Sequence, residues 1–118
     1  MNETGDELIL VLTNTPTAEI AESIADGAVE RRLAAAAQVL GPARSTYRWQ
    51  GSVCHAQEWV CLLKTHSRCL GDIESFIRDQ HPYELPSILA VPVTGGSAAY
   101  LDWLRRGLAE PIGPGAEQ

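Results

Sequence analysis

The segment Trp59-Val60-Cys61-Leu62-Leu63-Lys64-Thr65 decides the fold of this chain of 118 residues. Its length and its apolar, β-branched and aromatic residues predict a strand. Because side chains alternate between the faces of a strand, Val60 and Leu62 share one face and Cys61 lies on the other. Neither face is fully polar, so we expect both to be at least partly buried. In a chain this short, helices can cover one face, and a second subunit must cover the other.

A turn and a second extended segment precede this strand. Gln50-Gly51-Ser52 predicts the turn, and residues 34–49 are predicted to form a long strand. Four consecutive alanines at its start favour a helix by propensity, but the helix before them is already complete. The pair Gly41-Pro42 predicts a bend or bulge, because proline cannot donate to a sheet ladder. Residues 34–66 therefore predict a long antiparallel hairpin with its loop near 50–56.

The first third of the chain predicts a strand and then a helix. Residues 8–12 are five consecutive aliphatic side chains, which is typical of a central strand covered on both faces. Thr15 followed by Pro16 predicts an N-cap and the first helical residue. We predict a helix over 16–31, with an apolar stripe at helical spacing formed by Ala21, Ile24, Ala25 and Ala28.

The last third predicts a helix, a strand and a second helix. Ser67 is a candidate cap for a helix that must end before Pro82. Residues 88–93 predict the last strand. Ser97 is predicted to cap a final helix that runs to about residue 107. The helical spacing is carried by Leu70, Ile73 and Ile77 in the first helix, and by Leu101, Leu104 and Leu108 in the second.

This order of elements predicts one α+β domain with a ferredoxin-like βαββαβ sandwich, a long hairpin between the second and third strands, and a C-terminal helix. Right-handed crossovers place the first and third strands at the centre and both main helices on one face. The apolar residues on the other face would be exposed in a monomer, which predicts a closed homo-oligomer. We expect a disordered leader over 1–6, the domain over 7–108 and a flexible tail over 109–118.

Composition excludes several classes of function. The net charge is −6 and the chain has no run of Lys or Arg, so nucleic acid is not an expected partner. No apolar segment reaches the ~18 residues that a membrane span needs. The acidic N-terminus does not resemble a signal peptide, which predicts a cytoplasmic location. Cys54, Cys61 and Cys69 are predicted to be free thiols, with Cys61 buried, because no C-x-x-C pair supports a structural zinc site.

A series of motifs occurs in order along the chain: Ala18-Glu19-Ile20-Ala21, Glu30-Arg31-Arg32-Leu33-Ala34-Ala35, Arg44-Ser45-Thr46-Tyr47-Arg48-Trp49-Gln50-Gly51, Leu63-Lys64-Thr65, His81-Pro82-Tyr83-Glu84-Leu85-Pro86 and Ala99-Tyr100-Leu101-Asp102-Trp103-Leu104. With this series the chain resembles the CutA family of divalent-ion tolerance proteins, from about residue 8 to 108. The resemblance implies a ferredoxin-like homotrimer similar to that of the PII signalling proteins. It also implies no enzyme activity and a role in tolerance of copper and other divalent metals.

The chain departs from the family pattern at one position that matters for metal binding. Family members usually carry a cysteine in an Arg-Leu-Ala-Ala-Cys-Val-Asn pattern, whereas this chain has Ala36 and Gln38 at the corresponding positions. A thiolate is the natural soft ligand for Cu(I), so a copper site based on that thiol is not expected here.

The segment His81-Pro82-Tyr83-Glu84-Leu85-Pro86 holds three polar side chains between two prolines. His81 and Glu84 are the best candidate pair for a divalent metal such as Cu or Zn, because imidazole and carboxylate are both common ligands. Two ligands are too few for tight binding, so others would have to come from elsewhere or from a second subunit. The alternative is that both residues bond backbone groups at a helix end and a subunit boundary.

A second candidate site is a cleft for a small anionic effector, with no cofactor required. Lys64 supplies its cation and is predicted to pair with Glu84, and His81 lies in the same neighbourhood. Its walls are predicted to be aromatic, formed by Tyr47, Trp49, Tyr83 and Trp103. The alternatives are that these aromatic residues fill a subunit interface, or that the protein is an assembly scaffold without a ligand. No arrangement of a nucleophile with a base supports an enzyme.

Overall fold

The computed structural model describes residues 7–109, and the predicted leader (1–6) and most of the predicted tail (110–118) lie outside them. Within the described part, the elements follow the predicted order. They are the strand β1 (Leu8–Thr15), the helix α1 (Ala18–Glu30), the strands β2 (Ala36–Trp49) and β3 (Ser52–His66), the helix α2 (Leu70–Gln80), the strand β4 (Leu89–Pro92) and the helix α3 (Ala98–Arg106). None of the described helices is long and apolar enough to cross a membrane.

The strands form one antiparallel sheet in the order β2-β3-β1-β4. The first and third strands are central, as the crossover argument predicts, and the strand order is that of a βαββαβ sandwich. The register places Leu10 of β1 opposite both Lys64 of β3 and Val91 of β4. Directly opposed residues share a face of the sheet, so this register defines which side chains lie together.

The hairpin between β2 and β3 turns more tightly than predicted. Trp49 pairs with Ser52, so the loop contains two residues, Gln50 and Gly51. Both adopt left-handed backbone, with φ of 52° and 83°. Left-handed geometry at both positions matches the twist of the flanking strands, which is why it makes the shortest hairpin loops. The predicted loop over 50–56 is therefore wrong, and β3 begins at Ser52.

The start of α1 differs from the prediction by two residues. Thr17, not Thr15, is the N-cap, and its Oγ1 accepts a hydrogen bond from the backbone N–H of Ile20 at 3.2 Å. Thr15 is the last residue of β1, and its hydroxyl donates instead to the carbonyl of Thr17 at 2.8 Å. Because Thr15 still belongs to the sheet ladder, the helix can begin only after it.

The start of α2 also differs, whereas that of α3 is as predicted. A single 3₁₀ turn, Ser67–Cys69, precedes α2. Its N-cap is His66, not Ser67: the His66 Nδ1 accepts from the backbone N–H of Arg68 at 3.1 Å. At α3, the Ser97 hydroxyl accepts from the N–H of Tyr100 at 3.0 Å, which confirms the predicted cap.

The core lies between the sheet and the two helices α1 and α2, which pack on one face. Its residues are Ile9 and Val11 of β1, Cys61 and Leu63 of β3, Ala21, Ile24, Ala25 and Ala28 of α1, and Ile73, Phe76 and Ile77 of α2, with Ala34 and Cys69 at its edges. Cys61 is fully buried, as predicted, and burial raises the pKa of its thiol to about 12. All three cysteines are free.

The opposite face of the sheet is apolar and is not covered by α1 or α2, although α3 contacts it at one end, where Tyr100 meets Lys64. We call it the open face, and it carries Leu10, Leu12, Leu40, Val60, Leu62, Leu89 and Val91. Leu40, Leu89 and Val91 are 51%, 66% and 43% exposed. In one chain, this face therefore presents the kind of contiguous apolar surface that soluble monomers rarely expose.

Candidate functional site

A β-bulge places two aromatic residues of β2 on the open face. The register shifts between Leu40, which pairs with Val60, and Ala43, which pairs with Glu58. Between these two pairs the chain advances by three residues on β2 but by only two on β3. The extra residue on β2 switches which of its side chains face each side of the sheet. Beyond it, Tyr47 and Trp49 lie on the same face as Glu58. Without the extra residue their side chains would point to the other side of the sheet.

His81 fixes the loop after α2 against the end of β1. Its Nδ1 accepts a hydrogen bond from the N–H of Tyr83 at 3.2 Å, so the ring proton is on Nε2. Nε2 then donates to the carbonyl of Asn14 at 2.6 Å. The residue is 8% exposed. Both ring nitrogens are thus bonded to backbone groups, and a metal could bind either one only by displacing such a contact.

Glu58 is buried on the open face and is held by two neutral side chains. Its residue is 7% exposed. The Tyr83 hydroxyl donates to Oε2 at 2.8 Å, and the Asn14 amide donates to Oε1 at 3.4 Å. Burial, followed by the hydrogen bond to Glu58 and its negative charge, raises the pKa of Tyr83 to about 12. The phenol therefore stays protonated and remains a donor to the carboxylate at neutral pH.

A cavity of about 520 Å³ opens beside this carboxylate, and we call it the Glu58 cavity. Its walls come from the end of β1, the outer half of the hairpin and the loop before β4: Asn14, Ser45, Thr46, Tyr47, Trp49, Glu58, Tyr83, Glu84, Leu85 and Ser87. Among these residues are two carboxylates and three aromatic rings. Lys and Arg are not among them, so both charged side chains that line the cavity are negative.

The structure brings together some of the residues predicted to form a site. Tyr47, Trp49, Tyr83 and Glu84 all line the Glu58 cavity. His81 stands next to them, with its ring 4.7 Å from that of Tyr83, and supports the loop through its backbone contacts.

Lys64 and Trp103 lie in a separate cluster at the other end of β3. The Lys64 Nζ donates to the Tyr100 hydroxyl at 3.0 Å and lies 5.2 Å from the centre of that ring. The Tyr100 ring stacks on Trp103 at 5.6 Å. Within one chain, the partner of Lys64 is therefore Tyr100, and not Glu84 as predicted.

Sequence reasoning did not place Glu58 or Asn14 in the predicted cleft. One signal was available for Glu58: it is an acidic residue at an alternating position of a strand whose neighbours on that face, Val60 and Leu62, are apolar. A charge on such a face needs a partner, which is a reason to expect a site there. No comparable signal marks Asn14, because its contacts depend on the sheet register.

Metal ligands do not converge within the described residues. Between residues 7 and 109, no group of three or more His, Cys, Asp or Glu side chains is arranged to hold a metal ion. A site based on the predicted pair, His81 and Glu84, would therefore need ligands from another subunit. That pair stays a prediction.

Comparison with known proteins identifies the family. The chain matches the family described as CutA1 divalent ion tolerance protein over residues 9–107. It is 41% identical over 96 residues to the divalent-cation tolerance protein CutA of Thermus thermophilus, covering 81% of this chain and 93% of that protein. It is 32% identical over 97 residues to the chloroplastic protein CutA of Arabidopsis thaliana, covering 82% of this chain but 53% of that longer protein.

The fold agrees with that of solved relatives. The structure of the Thermus thermophilus divalent cation tolerance protein matches with a TM-score of 0.84 and 38% identity, covering 86% of this chain and 99% of the other. Because the name of the Arabidopsis relative refers to the chloroplast, family membership does not determine location, and a cytoplasmic location stays a prediction. On the matched motifs, the shared fold and the identity over most of its length, the chain belongs to the CutA1 family of divalent ion tolerance proteins.

Proposed function

We propose that the chain is the subunit of a homotrimer that binds a small ligand in the tolerance of divalent cations, without a catalytic role. One observation carries the proposal: the Glu58 cavity opens on the same face of the sheet that a monomer leaves uncovered. A ligand site on a face that other subunits must cover lies at or near a subunit boundary. The PII-like trimers that the family resemblance implies would have such boundaries.

The exposed residues of the open face supply the driving force for assembly. Leu40 lies on β2, and Leu89 and Val91 lie on β4, so the exposed aliphatic residues of the open face come from both edge strands of the sheet. Burial of a large aliphatic side chain stabilises an assembly by about 1.5–3 kcal/mol. Several such residues on each subunit can offset the entropy lost on association. The number of subunits comes from the family resemblance alone.

We propose no catalytic role because the polar residues near the cavity are held by hydrogen bonds within the chain. His81 supports the loop beside the cavity, and backbone groups occupy both of its nitrogens. Tyr83 holds its proton because its pKa is raised. These groups are therefore set to support and bind rather than to transfer protons at neutral pH.

A second candidate for the ligand is a small organic anion, bound at the cluster of Lys64, Tyr100 and Trp103. The observation that favours it is that the Lys64 ammonium lies among apolar residues of the open face and contacts a neutral phenol. The rings of Tyr100 and Trp103 are 42% and 46% exposed, so a planar anion could stack on them. This site would operate in the same trimer.

Multi-angle light scattering tests the assembly. We expect a mass three times the 12.8 kDa of the chain. Val91→Glu places a charge on the open face and should reduce the mass to that of a monomer. Val29→Glu is the matched control, because Val29 is 38% exposed on α1, away from the open face. This substitution should leave the mass unchanged. A monomeric wild-type protein, or equal effects of the two changes, would contradict the proposal.

A further inference from the structure

We infer that the Glu58 cavity binds a small organic cation, an alkyl-substituted ammonium group. The inference rests on the proposed ligand-binding function and specifies the chemistry of its ligand. Three independent features of the cavity support it: a buried carboxylate without a cation, aromatic rings among its lining residues, and a volume far larger than a bare metal ion requires.

The charge of the Glu58 carboxylate is not compensated within the described chain. Its two hydrogen-bond donors, the Tyr83 hydroxyl and the Asn14 amide, are both neutral. Between residues 7 and 109, no Lys, Arg or His side chain forms an ion pair with it. Burying a carboxylate is costly unless a counter-charge is close, and two neutral donors offset that cost only in part. A cation in the cavity would complete the pairing.

The walls of the cavity are suited to an organic cation rather than to a strongly hydrated one. Tyr47, Trp49 and Tyr83 all line the cavity beside the carboxylate. Aromatic rings attract cations through their negative faces, and sets of them recognise ammonium groups that carry methyl or alkyl substituents. Tyr47 and Trp49 are 45% and 46% exposed in one chain, so the chain's own core does not cover their rings.

The second carboxylate extends the negative field at the rim. Glu84 lines the same cavity and is exposed. Its position on the loop held by His81 keeps it near the mouth, where it can attract a cation on approach. The cavity volume of about 520 Å³ lies in the range of small-molecule sites and is far larger than a single ion requires.

Other ligand classes fit these residues less well. An anion would meet two carboxylates. A divalent metal ion would need three or more converging ligands, and residues 7–109 provide no such group. Both oxygens of Glu58 already accept hydrogen bonds, which leaves the carboxylate able to attract a diffuse charge without rearranging.

Calorimetric titration of the assembled wild-type protein with tetramethylammonium tests the inference. We expect saturable binding at one site per chain. Tert-butanol, which has a similar size and shape but no charge, should bind at least about tenfold more weakly, because it lacks the attraction to Glu58 and to the rings. Equal binding of both probes would overturn the inference.

Substitutions then locate the site. Glu58→Gln keeps the size of the side chain and removes its charge, and should weaken the binding of tetramethylammonium by about tenfold or more. Trp49→Leu removes an exposed aromatic ring from the cavity and should also weaken the binding of tetramethylammonium, without affecting the core. Glu30→Gln is the matched control, since it removes the same charge from the surface of α1, and should have no effect. Unchanged binding in Glu58→Gln and Trp49→Leu would overturn the inference.

The outcomes also separate this inference from the proposed assembly. If wild-type protein is trimeric, does not bind tetramethylammonium and loses its assembly in Glu58→Gln, a basic side chain of a second copy neutralises Glu58. The ligand inference is then wrong and the trimer stands. If the protein binds tetramethylammonium as a monomer, the assembly proposal is wrong and the ligand inference stands.

Discussion

At the scale of single residues, Glu58 shows how a charge is retained in an apolar part of the sheet. Tyr83 and Asn14 each satisfy one of its carboxylate oxygens, and they come from a loop and a strand end that are distant in the sequence. His81 does not contact Glu58 itself, but it bonds to the backbone of both Tyr83 and Asn14. It is therefore a positioning residue that holds the two donors in place.

Removing the Tyr83 hydroxyl should destabilise the protein. Tyr83→Phe leaves one oxygen of a buried carboxylate without its donor, and such a loss costs about 1–3 kcal/mol. Urea denaturation should show the decrease in the free energy of unfolding. Tyr47→Phe is the matched control, because within residues 7–109 the Tyr47 hydroxyl forms no hydrogen bond, and it should change the stability little. A loss of similar size in both variants would contradict the assigned role of Tyr83.

The ionisation of Tyr83 should be shifted to high pH. Its pKa is about 12 in the folded protein against an ordinary value of 10.0. The raised pKa favours the protonated phenol in the folded state, so its contribution to stability is full below pH 10 and is lost as the pH rises toward 12. In a pH titration, the phenolate absorbance of the wild-type protein minus that of Tyr83→Phe should give the midpoint at which Tyr83 ionises. Glu58→Gln should lower it, and an unchanged midpoint would show that burial alone causes the shift.

At the scale of elements, Phe76 of α2 packs directly against Gly27 of α1. A Cβ atom at this position would lie 2.5 Å from Cζ of Phe76 and 3.0 Å from Nη1 of Arg31. Phe76 is part of the core, and the guanidinium of Arg31 lies over its ring at 4.6 Å. The glycine thus provides room for the Phe76 ring. This packing explains why α1 has a residue of poor helical propensity at this position.

Two glycine substitutions should therefore have opposite effects. In a helix, Gly→Ala gains about 0.5–1 kcal/mol from propensity. At Gly27 the added methyl group displaces Phe76, and overpacking of this kind costs about 1–3 kcal/mol, so we expect net destabilisation. At Gly71 of α2 a Cβ would meet no atom within 4 Å, so Gly71→Ala should stabilise the protein. Thermal unfolding gives the melting temperatures of both variants. A higher melting temperature for Gly27→Ala than for the wild-type protein would contradict the packing argument.

At the scale of the whole molecule, one face of the sheet is buried within the chain and the other retains exposed apolar residues. The helices α1 and α2 cover the first side and bury its residues almost fully. The open face retains exposed Leu and Val side chains, and it also carries the Glu58 cavity and the Lys64 cluster at its two ends. The proposed assembly and the proposed ligand site therefore share one surface.

The stability of the protein should increase with its concentration. If unfolding is coupled to dissociation of a trimer, mass action favours the folded assembly at higher concentration, and the urea midpoint should rise. Val91→Glu should abolish this dependence, because it places a charge on the surface that drives association, whereas Val29→Glu should retain it. A midpoint that is independent of concentration in the wild-type protein would show that the folded chain does not need its neighbours.

Much of the fold follows from local patterns along the chain. Five consecutive aliphatic residues predict β1, helical spacing predicts α1, α2 and α3, and Gly41-Pro42 predicts the bulge. These signals depend on residues close in sequence, and so do the motifs that indicate the CutA family. The errors lie where two local signals compete: Thr15 could cap a helix but belongs to the sheet, and the residues after Gly51 lack strong strand character but pair across the hairpin.

The sequence by itself therefore determined the order of elements, the family and four aromatic or acidic residues of the cavity: Tyr47, Trp49, Tyr83 and Glu84. Only the tertiary structure decided that Glu58 is the buried carboxylate of the cavity. The contacts of Glu58 join positions that are 25 and 44 residues apart. They depend on strand register and on the bulge that turns Tyr47 and Trp49 to the same face. Periodicity specifies which side of an element is apolar, but register specifies which residues of different elements meet.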